Sequence, residues 1–282
     1  MRNIISSAIF LLFFVQVPSQ GQKIEPSMFE CRYKLYMQTD TIHRLNFIID
    51  EMVLRIGKTR SQFFSWHTFY HDSLWADTNG RKLAEELTLE AFRTRDYSKM
   101  PTIKTTRNYI YKNYPKGKIT TTAKDFKVNC IYDEDYQSQD WIIQDSTKQC
   151  VGYTCRKAVC TFRGRHWTVW FAPDIPIEDG PWKLKGLPGL ILEAYDSSKD
   201  YHYVAIKMKT KDINPVMFYR FDNKPELKVE RKKYLSSLNK FLRGFPTEEV
   251  ELIQIITRNN RNQAFMPKTK RDIRYDFLER DY

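Results

Sequence analysis

Five cysteines, Cys31, Cys130, Cys150, Cys155 and Cys160, are the side chains of this 282-residue sequence best suited to covalent chemistry. Thiols can pair as disulfides, hold a soft metal ion as thiolates, or stay free. A thiolate metal site draws on closely spaced pairs such as C-x-x-C, or on histidines nearby. Neither pattern is present, so no metal is expected, and no motif implies a cofactor. In an oxidising compartment the cysteines are expected to form disulfides. Spacing narrows the pairing. If residues 152–162 form one strand, Cys155 and Cys160 lie roughly 16 Å apart at about 3.3 Å per residue, whereas a disulfide needs Cα atoms within about 7 Å. With Cys150 on the same extended stretch, every bridge would use Cys31 or Cys130, which allows two at most.

Other groups give weaker cues. His67 and His71 in "WHTFYHD" have the i, i+4 spacing that puts two imidazoles on one helix face. The glutamate of an H-E-x-x-H zinc motif is absent, and Trp66, Phe69 and Tyr70 around them are ordinary core residues. His166 and His202 sit in alternating stretches and read the same way. Carboxylates gather in "YDEDYQSQD" and at Asp174, Glu178 and Asp179, without the spacing of a calcium loop. They read as solvated loops; paired-carboxylate chemistry would need them to converge in one cleft. No G-x-S-x-G nucleophile elbow occurs. In "HWTVWF" the aromatic residues fall on both alternating rows, Trp167 and Phe171 on one and Trp170 on the other. Two aromatic rows exceed what one core face needs, so Trp167, Trp170 and Phe171 are candidates to line a cavity for an apolar ligand.

The elements that would position these groups are mostly strands. "ECRYKLYMQ" alternates with a period of two, and "MVLRIGKTRSQFFSWHTFY" continues in strand-like pieces. A helical window covers 81–93, where Leu83, Leu87 and Ala91 recur every four residues. Residues 105–208 read as strand and turn throughout: a break at Pro115-Lys116-Gly117, two strands around a polar turn at 146–149, and a hairpin near Arg163-Gly164-Arg165. Pro173, Pro176 and Pro181 make 172–180 a loop, and 197–200 turns another hairpin. "ERKKYLSSLNKFLRG" is an amphipathic helix stopped by Gly244. "VELIQIIT" fits strand or helix.

Residues 180–196, "GPWKLKGLPGLILEAYD", hold no acid-base pair or nucleophile in their centre. Leu187-Pro188-Gly189-Leu190 fits a type II turn with Gly189 at positive φ, and Gly186 lets a neighbour approach closely. Flanking Leu184, Leu187, Leu190 and Ile191 predict a packed corner. With "WII" (141–143), "GYTCRKA" (152–158), "WFAPDIPIEDGPWKL" (170–184) and "MVLRIGKTRSQFFS" (52–65), this hexapeptide from Gly186 to Ile191 resembles the GLPGLI family, exported proteins of Bacteroidetes. The likeness covers about 52–196. It implies compartment and lineage rather than an activity. The order of elements also resembles the LolA-like incomplete barrels that shelter lipid chains.

Residues 1–22 open with Arg2, an apolar run of about fourteen residues and then small polar residues, the layout of a secretory signal peptide. The run is short of the roughly 20 residues of a spanning helix, and no cysteine follows it directly. A single domain is expected over 23–282, in the periplasm or secreted, with no membrane span after cleavage. Net charge of +12 suits an anionic partner, and nucleic acid is the least fitting one for an exported chain. The expected molecule is mainly β with a few helices: an antiparallel meander, open like an incomplete barrel, under a covering helix. Its expected role is non-catalytic, binding a lipid or anionic envelope polymer or assisting an outer-membrane protein. The alternatives are a protein-interaction module with no ligand pocket, and a metal-binding protein or hydrolase.

Overall fold

The computed structural model describes residues 21–38, 48–96, 106–125, 128–221, 224–242 and 278–282. The expected signal segment up to residue 20, Gly244 and "VELIQIIT" lie outside them. The elements in chain order are β1 Gly21–Glu25, β2 Phe29–Met37, β3 Ile48–Ile56, β4 Ser61–Ser65, α1 Trp66–Trp75, α2 Thr78–Thr94, β5 Asn108–Lys112, β6 Lys118–Asp125 and β7 Val128–Asp135. Then follow β8 Ile142–Cys150, β9 Tyr153–Phe162, β10 Arg165–Ala172, β11 Leu190–Asp196, β12 Tyr201–Lys209, β13 Val216–Tyr219, β14 Leu227–Lys228 and α3 Arg231–Leu242.

Twelve strands form one sheet in the order β14-β7-β6-β5-β4-β3-β2-β12-β11-β10-β9-β8. It consists of two antiparallel meanders, β2 to β7 and β8 to β12, joined where β2 pairs with β12 from Met37↔Tyr201 to Glu30↔Lys209. The sheet does not close: β8 is one edge, and the short parallel strand β14 beside β7 is the other. The expected open, mainly antiparallel β architecture is what the chain adopts.

Its central strands are covered on both faces. Alternate residues of β3 and β4 belong to different cores, Met52, Leu54, Ile56 and Phe63 to one, Val53 and Phe64 to the other. The first core packs under the loop after β10, through Trp182, Leu184, Leu187 and Leu190. The second packs under the β1–β13 pair, through Met217, Phe218 and Tyr219, with Trp66 and Phe69 of α1. That is why β4 is buried along its whole length, as strands between two layers are.

Residues 66–70 are helix, not the strand their aromatic composition suggests. Ser65 caps α1, its Oγ accepting the Thr68 N–H at 3.1 Å, and this local hydrogen bond ends β4. Asp77 caps α2 in the same way through the Gly80 N–H at 2.8 Å. The cover from α3 is local: Tyr234 and Leu235 pack on Ala123, Cys130 and Tyr132 at the β6–β7 end.

The β8–β9 turn also differs from expectation. It falls at Val151 (φ 49°) and Gly152 (φ 83°), not in the polar stretch 146–149, which continues β8 as far as Cys150. Two successive positive φ values make the I′ geometry that matches strand twist. Valine is β-branched and strained there.

The 187–190 corner is buried apart from Pro188, but it is not a type II turn. Gly189 N–H donates to Leu187 O at 2.8 Å, a γ-turn about Pro188, and Leu190 N–H reaches across to Ile175 O at 3.0 Å. Gly189 has φ +150°, and a Cβ there would lie 2.2 Å from Ala172 O. Gly186 is as confined, its Cβ direction meeting Ser138 Cβ at 2.5 Å.

Two substitutions test these backbone arguments by thermal or urea denaturation. Gly189→Val should destabilise the fold by more than about 1 kcal/mol through forced strain; an unchanged midpoint contradicts it. Val151→Asn should stabilise by about 0.5–1 kcal/mol, because asparagine tolerates the left-handed position; a loss of stability would refute the strain at that turn.

Candidate functional site

The Pro-rich loop 173–189 is held down by buried charge in two places. At the first, Lys183 is 1% exposed and its Nζ donates to Glu134 at 2.5 Å and Glu279 at 2.6 Å. Arg231 at the start of α3 donates to Glu279 at 2.6 Å and to both oxygens of Asp281 at 2.8 and 2.9 Å. Arg163 of the β9–β10 turn donates to Glu134 at 2.6 Å and Asp281 at 3.1 Å. Three cations thus meet three carboxylates. Burial opposes charge on Lys183, but Glu279, Tyr132 and Glu134 more than offset it and hold the amine above the usual lysine range. Burial likewise pushes Glu279 up, while Lys183 and Arg231 pull it below the usual carboxylate range.

At the second place, Lys112 of β5 donates to Asp179 at 2.5 Å and Gly180 O at 2.7 Å, and Ser61 Oγ donates to the other Asp179 oxygen at 2.5 Å. Burial lowers the Lys112 amine against the pull of Asp179. A serine, a lysine and an aspartate in contact could be nucleophile chemistry. Here all three are buried, and their geometry is that of a tie between the loop and β4–β5.

Accessible chemistry lies instead on a row across β8 to β2. Glu193 of β11 accepts from Lys148, from His202 Nε2 at 2.9 Å, and weakly from the Cys150 thiol at 3.9 Å. Burial pushes Glu193 up, and the His202 and Lys148 hydrogen bonds take it below the ordinary range. Lys148 Nζ stands 4.6 Å over the Trp170 ring. Tyr195 and Tyr36 flank His202, with ring centroids 5.4 and 6.0 Å away. The row ends at β8, whose outward backbone faces no other described strand. Ile142 and Ile143 at its start are 66% and 41% exposed.

The expected site residues are dispersed over these features. Trp167 and Phe171 are in the core, Trp167 against Trp182 at 5.6 Å, while Trp170 belongs to the outer row. Trp170 is partly buried and packs against the first core. The best-formed pocket among the described residues is about 50 Å³, near Asp72, Tyr109 and Tyr219, away from the three aromatics. No disulfide joins any two of the five cysteines. Cys31, Cys155 and Cys160 have thiols pushed up to about 12 by burial. Cys155 and Cys160 share β9 as expected, but Cys150 lies across the hairpin turn, so the three are not one extended stretch.

His67 and His71 share helix α1, where His71 stacks on Trp75 at 5.8 Å. Among the described residues no three His, Cys, Asp or Glu side chains converge as metal ligands. No helix among them is long and apolar enough to cross a membrane. Of the carboxylates taken as solvated, Asp174 and Glu178 are exposed, whereas Asp179 is buried and Glu134 half-buried in the two ties. Lys183 was not singled out by sequence. The available signal was its place between Trp182 and Leu184 in an apolar run.

Residues 162–193 match the family described as protein of unknown function (Porph_ging). No curated protein matches the chain. Two solved structures, "Structure of PNGF-II in P21 space group" and "Structure of PNGF-II in C2 space group", are similar at TM-scores of 0.48 and 0.47 and 13% identity. Each likeness covers 74% of this chain but 33% and 32% of the other, so the chain spans about a third of those structures.

The Lys183 tie has a pH signature. Glu279 is lowered in the folded state, so its stabilisation is complete above the unfolded carboxylate value of about 4.3 and lost as pH falls through the folded one. Glu279→Gln should destabilise by about 3 kcal/mol at pH 7, because it leaves buried cations underpaired. The gap in melting temperature between wild type and variant should then shrink below about pH 4. A gap constant from pH 7 to pH 3 would show that Glu279 carries no such charge.

Proposed function

We propose that this chain is an exported, non-catalytic docking protein that takes an extended segment of an acidic partner protein onto the open edge of β8. The observation that carries this reading is the edge itself: nine residues at the end of a twelve-stranded sheet, with Ile142 and Ile143 exposed at its start. A row of unpaired N–H and C=O groups is complementary to another extended backbone.

A second copy of the chain is disfavoured as occupant by its own net charge of +12. The bulge between Gln144 and Thr147 further disrupts a regular self-pairing register. The same charge favours an acidic partner. A lipid chain as ligand fits less well, since small-molecule pockets run to about 300–1,000 Å³, against about 50 Å³ for the best-formed pocket among the described residues. Export rests on the leader-like residues 1–22, and the GLPGLI-type motifs around 186–191 support an envelope setting, where an outer-membrane protein is the fitting partner.

Site-specific photo-crosslinking in a producing cell tests this. A photoreactive residue at Thr147, whose backbone points outward when the ladder alternation is counted back from the Cys150–Tyr153 pair, should trap one acidic exported protein. Thr147→Pro, or Ile142→Asp with Ile143→Asp where the proline variant misfolds, should abolish the adduct while circular dichroism stays unchanged. A homodimer adduct, a lipid-sized adduct, or none from folded protein would overturn the proposal.

A further inference from the structure

Cys150 is the last residue of β8, and Cys155 is the third of β9. The register sets Cys150 opposite Tyr153 and Lys148 opposite Cys155. The two cysteines are therefore diagonal neighbours on adjacent strands, with side chains on one face. Each thiol also shifts the titration of the other, as neighbouring groups do. Cys160 is five residues farther along β9, and Cys31 and Cys130 are on β2 and β7, on other strands of the sheet. The pair also differs internally: Cys155 is fully buried, and Cys150 is half-buried beside Glu193 and Lys148.

We infer that Cys150 and Cys155 form a thiol–disulfide site, closed as a cross-strand bridge by a disulfide oxidant, either a protein or a small molecule. Exposure fixes the order of events. The Cys150 thiol gives its proton to solvent, and the thiolate attacks one sulfur of R–S–S–R; the S–S bond breaks and RS⁻ leaves to collect a proton. The Cys155 thiolate, its proton lost in turn, attacks Cys150 Sγ, forming the internal bond and expelling the second RS⁻. Two protein thiols lose two electrons and two protons, and the oxidant becomes two RSH.

Diagonal Cα atoms are typically about 7–8 Å apart, just beyond disulfide geometry, so closure needs a small backbone movement. The bond therefore draws in the end of a hairpin already strained at Val151. A bridge under such strain is easily reduced, and with only four residues between its ends it stabilises the fold little. The site is thus one that responds to redox conditions rather than a permanent staple. It is independent of any occupant of the β8 edge.

Trypsin makes the test direct, since both cysteines fall in one peptide, Gln149–Arg156, between Lys148 and Lys157. After native protein is equilibrated with glutathione disulfide, this peptide should be about 2 Da lighter, the mass of the two hydrogens lost, and resist alkylation until reduced. Cys155→Ser should stop at a glutathione adduct on Cys150, and Cys150→Ser should leave Cys155 unmodified. Full alkylation of both thiols under oxidising conditions, a bridge from either to Cys31, Cys130 or Cys160, or glutathione on Cys155 in folded Cys150→Ser protein would overturn the inference.

Discussion

Everything near the Pro-rich loop depends on one buried ammonium group. Moving an isolated charge out of water costs several kcal/mol even after relaxation, so Lys183 can sit where it does only with its carboxylates around it. Meeting that demand draws in β7 through Glu134, the C-terminal segment through Glu279, and, by way of those acids, the β9–β10 turn and α3. Backbone contact follows the charges: Arg280 N–H donates to Arg163 O at 2.9 Å, and Arg165 Nε donates to Leu278 O at 2.9 Å. Elements far apart in sequence are thereby fixed to one another by charge, beside the apolar contacts that Tyr132, Tyr234 and Tyr282 share. The small cluster at the α3 end holds few residues, and ionic partners do much of the joining there.

The same loop lids the larger apolar core, with the Asp179–Lys112–Ser61 tie at its other end. The polar residues beneath it hold a lid shut and are shielded from any substrate. What solvent can reach is the row from Lys148 to Tyr36, and the strand edge where that row stops. The proposed docking role and the proposed dithiol at the hairpin both rest on where β8 lies, at the end of the sheet and partly uncovered.

Local rules made part of this legible. The Arg163-Gly164 hairpin follows from glycine at a positive φ between alternating runs, and α2 and α3 from their apolar period; the observed 78–94 and 231–242 lie close to the expected spans. Helix α1 was hidden because Phe, Trp and Tyr are strand formers, and Ser65 acts as its cap without the glutamate that would complete a capping box. The 146–149 stretch looks like a turn because it is polar, but it is polar because an edge strand has a wet side. Single-chain patterning held no sign that β2 meets β12, nor that Glu134, Lys183, Arg231 and Glu279 would converge. Each of those charges reads locally as surface.

The seam between β2 and β12 sets the order in which the molecule can be completed. Strands β2 to β4 can zip together from nearby residues, but the other side of β2 has its partner only in Tyr201–Lys209. Until that stretch is synthesised and free to move, the alternating face of Cys31, Tyr33 and Leu35 borders an unmatched ladder. Non-local pairing of this kind makes folding slow and leaves intermediates open to aggregation. A chain made from its N-terminus spends its emergence in that half-built state, its first meander complete and one side of β2 waiting for the last strand of the second.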